Sequence, residues 1–388
     1  MPWKEVNIMD QRKKFVLESF KPGVNFSELC RDYGICTKTG YKWKTRFLEQ
    51  GFEGLKDQTT IPRRNPKRLP EETVCEIIRI KKTKINWGPK KIRLVYAANH
   101  PGERIPSRST IERILKKSGF VVERKRRRKY KSERIQNRIK PEKPNDIWTV
   151  DFKGWWYTPE KERCEPLTVR DEYSKYVLAI EILKKGNIWA VREAFELIFK
   201  EFGLPKMIRS DNGPPFASHW AVLGLTRLAV WWMALGIKLD RIDPASPYQN
   251  GGHERMHLDM KKELEGKIEG SLKMHQSVFD VWRNEFNKER PHESLGMKTP
   301  SAVYIKSERK YTGPIDFIEY PGGYITRQIN NRGILKYKGH SVFISNVFHG
   351  YNIGLKQNRK KNLDVWFDDN HLGEIDLQTY LFKSILEI

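Results

Sequence analysis

The sequence predicts a composite fold: all-α modules at the N-terminus, an α/β core, and a small all-β barrel of SH3-like type at the C-terminus. Three observations predict it. Up to about residue 120, apolar residues recur at helical spacing between Gly and Pro breaks. Between 145 and 305, short β-rich runs such as IWTVDF and MIRS alternate with amphipathic helical stretches. After residue 318, five or six short strand-like runs follow one another at hairpin spacing.

Taken in order, residues 9–20, 26–33 and 37–50 read as three helices, with Gly34 breaking the chain between the second and third. Two short helices joined by a Gly turn predict a helix-turn-helix module over 1–55. Lys38, Thr39, Tyr41, Lys42, Lys44 and Arg46 fall on its second helix, the one such motifs place in the major groove. Gly40 interrupts that helix, where Gly costs about 1 kcal/mol relative to Ala. Residues 51–67 are Gly-, Pro- and Arg-rich linker. A second three-helix unit over 68–120 carries Lys90, Lys91, Arg93, Arg108, Arg113, Lys116 and Lys117 and reads as a second DNA-binding module. Tandem modules raise each other's effective concentration on one site.

Charge supports the same reading. The chain has 388 residues and a formal net charge of +25. Residues 1–140 hold 37 Lys and Arg against 15 Asp and Glu, a net +22, which leaves only +3 for the rest. That asymmetry points to a polyanionic partner, DNA before an anionic membrane surface. The basic linker 121–144, with Arg126, Arg127 and Arg128 at its centre, is suited to tracking phosphates without reading sequence. Four Cys without framework spacing indicate a reducing compartment. The start MPWKEVNIMDQRKK has no signal-peptide core, and no apolar run approaches the ~20 residues of a membrane span. The chain therefore reads as cytoplasmic, with no membrane partner.

Within the core, 145–305, three acids stand out. Asp151 lies inside the apolar run IWTVDF, where an unpaired acid is costly. Asp211 ends the run MIRS, and Glu254 falls in the first turn of a helix. Alone, each is an ordinary strand-end or helix-start acid. Together they suggest a carboxylate cluster, whose members would repel by about 4 kcal/mol per close pair at an effective dielectric near 20 unless a cation filled it. Carboxylate oxygens suit magnesium, and two such ions clamp an in-line displacement at phosphorus. Asp171 is the rival to Asp151, but it sits where a turn acid is ordinary. Glu254, His257, Leu258, Lys261 and Glu265 form one helical stripe, which puts Lys261 two turns beyond the acid. His257 reads as a satisfied structural His.

Trp148, Asp151 and Phe152, then Ser210-Asp211-Asn212-Gly213 with Phe216, then Pro247, Asn250, Gly251, Glu254 and Lys261, and finally Arg290, Pro291, His292, Leu295, Thr299 and Pro300 carry a likeness. On these residues the chain resembles the DDE transposase and retroviral-integrase superfamily, above all bacterial insertion-sequence transposases with an integrase catalytic core. The resemblance implies a ribonuclease H-like core in which Asp151, Asp211 and Glu254 hold two Mg2+, with Mn2+ able to substitute, and Lys261 touches DNA. It implies cleavage at the ends of an element, transfer of the exposed 3′-hydroxyl into target DNA, and a homodimer or higher homo-oligomer. The 42 residues between Asp211 and Glu254 exceed the superfamily's commonest spacing; the extra length falls in 217–236 and reads as an extended helix. No Cys/His zinc module is present, since Cys30 and Cys36 stand apart from any His. Two other readings remain open on sequence: a DNA-binding regulator with an inactive core, and a metal-dependent nuclease without strand transfer. The barrel, 318–388, binds either DNA or another subunit by the same resemblance.

Overall fold

A computed structural model describes residues 7–58, 69–121, 139–218, 221–243, 247–264, 270–315 and 317–385. Arg126, Arg127, Arg128 and Glu265 lie outside the described residues. The chain forms two compact units that meet at Pro70/Glu71, and each is taken by itself.

In the first unit, α1 (Ile8–Glu18) and α2 (Phe26–Asp32) begin at Asn7 and Asn25, whose side chains accept backbone N–H groups of their first turns. Gly34, at φ +65°, turns the chain toward α3 (Thr37–Gln50). Phe15, Val16, Cys30, Trp43 and Leu55 make the core. Gly40 proves to be a contact residue. A Cβ there would stand 2.5 Å from Cys30 Sγ and 2.9 Å from Phe15 Cζ. The expected penalty of a mid-helix Gly is the condition for α3 to lie this close to α1 and α2.

The second unit opens with α4 (Glu71–Thr83), α5 (Pro89–Asn99) and α6 (Arg108–Lys117), packed around Ile77, Trp87, Ile92, Tyr96, Ile111 and Leu115. The central sheet follows. Its strands are β1 (Ile147–Phe152), the short β2 (Trp156–Tyr157), β3 (Arg163–Asp171) and β4 (Val177–Leu183). Then come α7 (Ile188–Phe202), β5 (Met207–Ser210), α8 (Arg227–Ala234) and β6 (Lys238–Arg241). Strand order is β4-β3-β1-β5-β6, with β2 on the start of β3. β3 runs antiparallel to β1 and β4, whereas β5 runs parallel to β1 and β6.

Helices cover both faces. Trp148 and Val150 of β1 join Phe195, Phe199, Trp231 and Trp232 in a core under α7 and α8. On the other face, Cys164, Val177 and Ile180 pack against α9 (Gly251–Leu264) and α10 (Leu272–Lys288) through Met256, Met260, Phe279 and Trp282. Strand period two decides which residues of β1 face α9. With Trp148 and Val150 turned toward α7, Thr149 and Asp151 turn toward the other side.

One expectation is corrected and one is met only in part. The extended helix over 217–236 does not form. Among the described residues the α-helix there is α8, because Leu223 and Gly224 take φ of +53° and +66°, which ends helical winding, and Thr226 then caps α8 by accepting from Ala229 N at 3.2 Å. The expected small SH3-like barrel is met only as far as its all-β strands, whose sheets do not close among the described residues. β7 (Ile325–Gln328), the hairpin β8 (Ile334–Tyr337) and β9 (His340–Phe343), β10 (Asn352–Gln357), β11 (Leu363–Phe367), β12 (Asn370–Ile375) and β13 (Phe382–Ser384) divide into two sheets. One is five-stranded, in the order β13-β12-β11-β10-β7, and the other is the β8–β9 hairpin. Its edge strands β7 and β13 do not pair, so the ring stays open. The two sheets share one core, and α8 supplies Ala229, Val230, Met233 and Ala234 to it. A helix buried on all sides thus joins the core sheet to the C-terminal sheets.

Candidate active site

Asp151 is the last residue but one of β1, on the α9 side, paired in register with Thr168 of β3. Its side chain is 24% exposed. Burial first, then the charges of Asp211 and Glu254, push its carboxyl up to about 7, against a hydrogen bond from Phe152 N and the charge of Lys153. Asp151 thus feels both of the other acids named from the sequence. Asp211 follows β5; burial raises its pKa, and Gly213 N, donating to Oδ1 at 3.2 Å, opposes that. Glu254 is exposed in the first turn of α9. Asp171 stands elsewhere. It is fully buried and accepts from Asn145 N, Ser174 N and Ser174 Oγ, the work of a structural acid.

Residues outside the predicted site set, His253 and Thr168, hold α9 in place together with the structural His257. His253 is fully buried, with Nδ1 2.8 Å from Thr149 Oγ1 and Nε2 2.6 Å from Thr168 Oγ1. Thr168 Oγ1 also lies 2.8 Å from His257 Nε2 and donates to the carbonyl of Asp151 at 2.9 Å. Burial, above all other causes, keeps both imidazoles neutral, His257 down to about 3. A neutral His253 with its hydrogen on Nε2 satisfies both contacts at once, donating to Thr168 and accepting from Thr149. His257 is thus a structural His whose Nδ1 also stands 3.9 Å from Asp151 Oδ2. The signal for His253 was its place directly before Glu254, on the buried side of the helix. Gly252 matters too: a Cβ there would meet Arg170 Nη2 at 2.3 Å, and its carbonyl accepts from Arg170 Nη1 at 2.5 Å.

Asn250 Nδ2 donates to Asp151 Oδ2 at 3.5 Å, while its buried Oδ1 has no hydrogen-bond partner. Lys153 is lowered by burial first and by the charge of Lys261 second. Lys261, exposed on α9, therefore stands near Lys153 and the Asp151 end of β1. Among the described residues, no three His, Cys, Asp or Glu side chains come close enough to enclose an ion as they stand. The donor chemistry nevertheless fits a hard divalent cation. Asp151 and Asp211 are half-buried acids without a Lys or Arg in ion-pair contact among the described residues, and the unpartnered oxygen of Asn250 is a further hard donor.

In the first unit, Lys38, Tyr41 and Lys42 are exposed on α3, and Arg46 is half-buried. Thr39 Oγ1 lies 3.2 Å from Cys36 Sγ. Lys44 is tied internally, donating to Ser19 O at 3.0 Å over the Phe20 ring. The open face of α3 is thus Lys38, Tyr41 and Lys42, with Thr45 a turn further.

The Integrase core domain family matches residues 141–247 and again 235–300, and the Homeodomain-like domain family matches 39–115. The uncharacterized 31.7 kDa protein of insertion element IS407 from Burkholderia multivorans is 27% identical over 210 residues, 54% of this chain and 73% of that protein. The uncharacterized 39.2 kDa protein of insertion element IS476 from Xanthomonas euvesicatoria is 25% identical over 222 residues, 57% of each chain. Among solved structures, the HTLV-2 integrase catalytic core domain in complex with magnesium is 20% identical, covering 43% of this chain and all of that one at a TM-score of 0.34. Among the described residues, no helix is long and apolar enough to cross a membrane.

Proposed function

The chain belongs to the integrase-core transposases of bacterial insertion elements, enzymes of the polynucleotidyl transferase class, and on that premise we propose that Asp151, Asp211 and Glu254 are its catalytic, metal-holding acids. The observation that carries this is the raised carboxyl of Asp151, buried and facing the charges of Asp211 and Glu254, with the neutral His257 at 3.9 Å and no Lys or Arg in ion-pair contact among the described residues. Two Mg2+ ions, or Mn2+ in their place, would supply there the positive charge that an in-line displacement at phosphorus needs.

The chain's own groups do the rest. Asn250 orients Asp151 through Oδ2. His253, His257 and Thr168 fix α9, and with it Glu254, to β1 and β3. Lys153 and Lys261, two cations close enough to oppose each other, accept a phosphate of the DNA end between them. Water cleaves the strand at the element end, leaving a 3′-hydroxyl. That hydroxyl then attacks a target phosphodiester, one P–O bond forming as another breaks. Lys38, Thr39, Tyr41, Lys42 and Arg46 on α3 contact the element end, and Arg126, Arg127 and Arg128 track its phosphates. Lys44 adds charge while staying tied to Ser19. The strand order β4-β3-β1-β5-β6 supports the ribonuclease H-like reading of the core. Two ends must meet, which requires a homodimer or larger assembly.

The test is strand transfer on labelled element ends in Mg2+ with wild type and Asp211→Asn. Joining by wild type and its loss in the variant are expected. Binding of ends without cleavage by wild type would favour a regulator; cleavage without joining would favour a nuclease.

A further inference from the structure

A cavity of about 640 Å³ opens between α5, α9 and the segment that follows α10. Seven of its lining side chains are Lys or Arg and two are acidic. Not all of that charge is free. Arg170 is paired with Glu172, Arg290 bonds Asp259 at 2.7 Å and Glu263 at 2.9 Å, and Lys90 is paired with Glu293. Lys91 and Arg108 have no carboxylate within ion-pair distance among the described residues. Lys91 is partly enclosed, and burial, ahead of the nearby Arg290 charge, lowers its pKa to about 8.

The polar groups around this cavity are incomplete in one sense only. Arg170 and Arg290, each 4% exposed in the side chain, keep a buried Nε without a partner, and His292 Nε2 is likewise unpartnered. A buried N–H left unpaired is costly, so native structures rarely leave two beside one cavity. The N-terminus of α5 lies on the same wall. Its N-cap, Gly88, makes no side-chain cap, and a Cβ there would meet nothing within 4 Å. The N-terminal end of a helix dipole and an unpaired N–H group both favour an anion.

We propose that this cavity binds a phosphate group, seated between the N-terminus of α5 and the wall formed by Arg170 and Arg290, with Lys91 and Arg108 as its charge partners. The ligand chemistry is a tetrahedral phosphate oxyanion, either a phosphodiester of bound DNA or free phosphate. The site lies on the flank of α9 marked by Gly252, Arg255 and Asp259, whereas Glu254 and Lys261 belong to the stripe beside it. Occupancy would therefore tie the second helical module to the helix that carries Glu254.

The test uses the full chain with Lys91→Gln, Arg108→Gln and the pair, and Lys91→Arg as the charge-conserving control. Melting curves and circular dichroism establish that each variant is folded. In the first arm, the salt dependence of binding to duplex DNA is measured; each lost phosphate contact lowers the log–log slope by about 1. In the second, inorganic phosphate is compared with chloride at equal ionic strength by thermal shift. A shallower DNA slope in the Gln variants, restored by Lys91→Arg, supports the site with a DNA phosphodiester as ligand. A phosphate-specific rise in Tm that the Gln variants lose supports it with free phosphate. Folded Gln variants that change neither measurement overturn it. Both arms read binding alone, so their outcome is separate from that of the Asp211→Asn test.

Discussion

His253 Nε2 lies 2.6 Å from the hydroxyl of Thr168, in a position with no exposed surface. Through that contact, the helix presenting Glu254 is bolted to the strand paired with Asp151. His253→Ala removes a filled volume and leaves Thr149 and Thr168 hydroxyls in a dry space. Destabilisation of about 2–4 kcal/mol is expected. Denaturant melts measure the stability, and strand transfer is expected to fall further than end binding, because the lost contacts lie at the acids and not on α3.

Asp211→Asn keeps shape and removes charge. Strand transfer is expected to drop by about a hundredfold or more, the scale of losing a group that stabilises transition-state charge. End binding, measured by gel shift, should stay as in wild type. Unaltered joining by this variant sinks the assignment of the acids.

Asp151 gives a pH signature. Its carboxyl is raised to about 7 in the metal-free protein, chiefly by burial and next by Asp211. A raised acid binds its proton more tightly folded than unfolded, so metal-free stability falls as pH climbs from about 4 toward about 7. A divalent cation competes with that proton. Its stabilising effect should therefore be small near pH 6 and larger near pH 8. Thermal melts with and without Mg2+ at the two pH values check the sign; a larger shift at the lower pH contradicts the placement of the cation on Asp151.

Gly40→Ala separates local propensity from packing. In an open helix the change would stabilise by about 1 kcal/mol. Here the new methyl would press on Cys30 Sγ and Phe15 Cζ, so a loss of about 1–3 kcal/mol is expected instead. A melt higher than wild type would show that α3 can move away.

Thiol chemistry should sort the cysteines. Cys36 is exposed, and the side-chain hydrogen bond with Thr39 heads the causes that lower its pKa. Cys164 is buried, and burial alone pushes it up to about 12. Alkylation of the native protein near pH 8, followed by peptide mass mapping, should mark Cys36 well before Cys164.

The sequence carried the layer order of the core because strand period and helical period are local properties. IWTVDF announced a strand with Asp151 inside it, while the side Asp151 faces followed only from the packing of Trp148 and Val150 under α7. Other features depended on neighbours remote in sequence. His253 looked like any helix residue until Thr149 and Thr168 were placed beside it. The run 217–236 looked helical by its apolar content, yet the positive φ at Leu223 and Gly224 broke it. Apolar content there answered a second demand, burial on two sides, which helical periodicity does not express. The same limit explains the open C-terminal sheets: hairpin spacing announces strands, while closure depends on whether the outermost two meet.

α8 has a practical consequence. Ala229, Val230, Met233 and Ala234 are shielded by the C-terminal sheets, and Leu228, Trp231 and Trp232 by the central sheet and α7. A fragment trimmed ahead of residue 318 would therefore present a greasy ridge to solvent and clump, however sound its acids. Anyone wishing to study the catalytic portion by itself should either retain the tail or recolour that ridge with polar side chains.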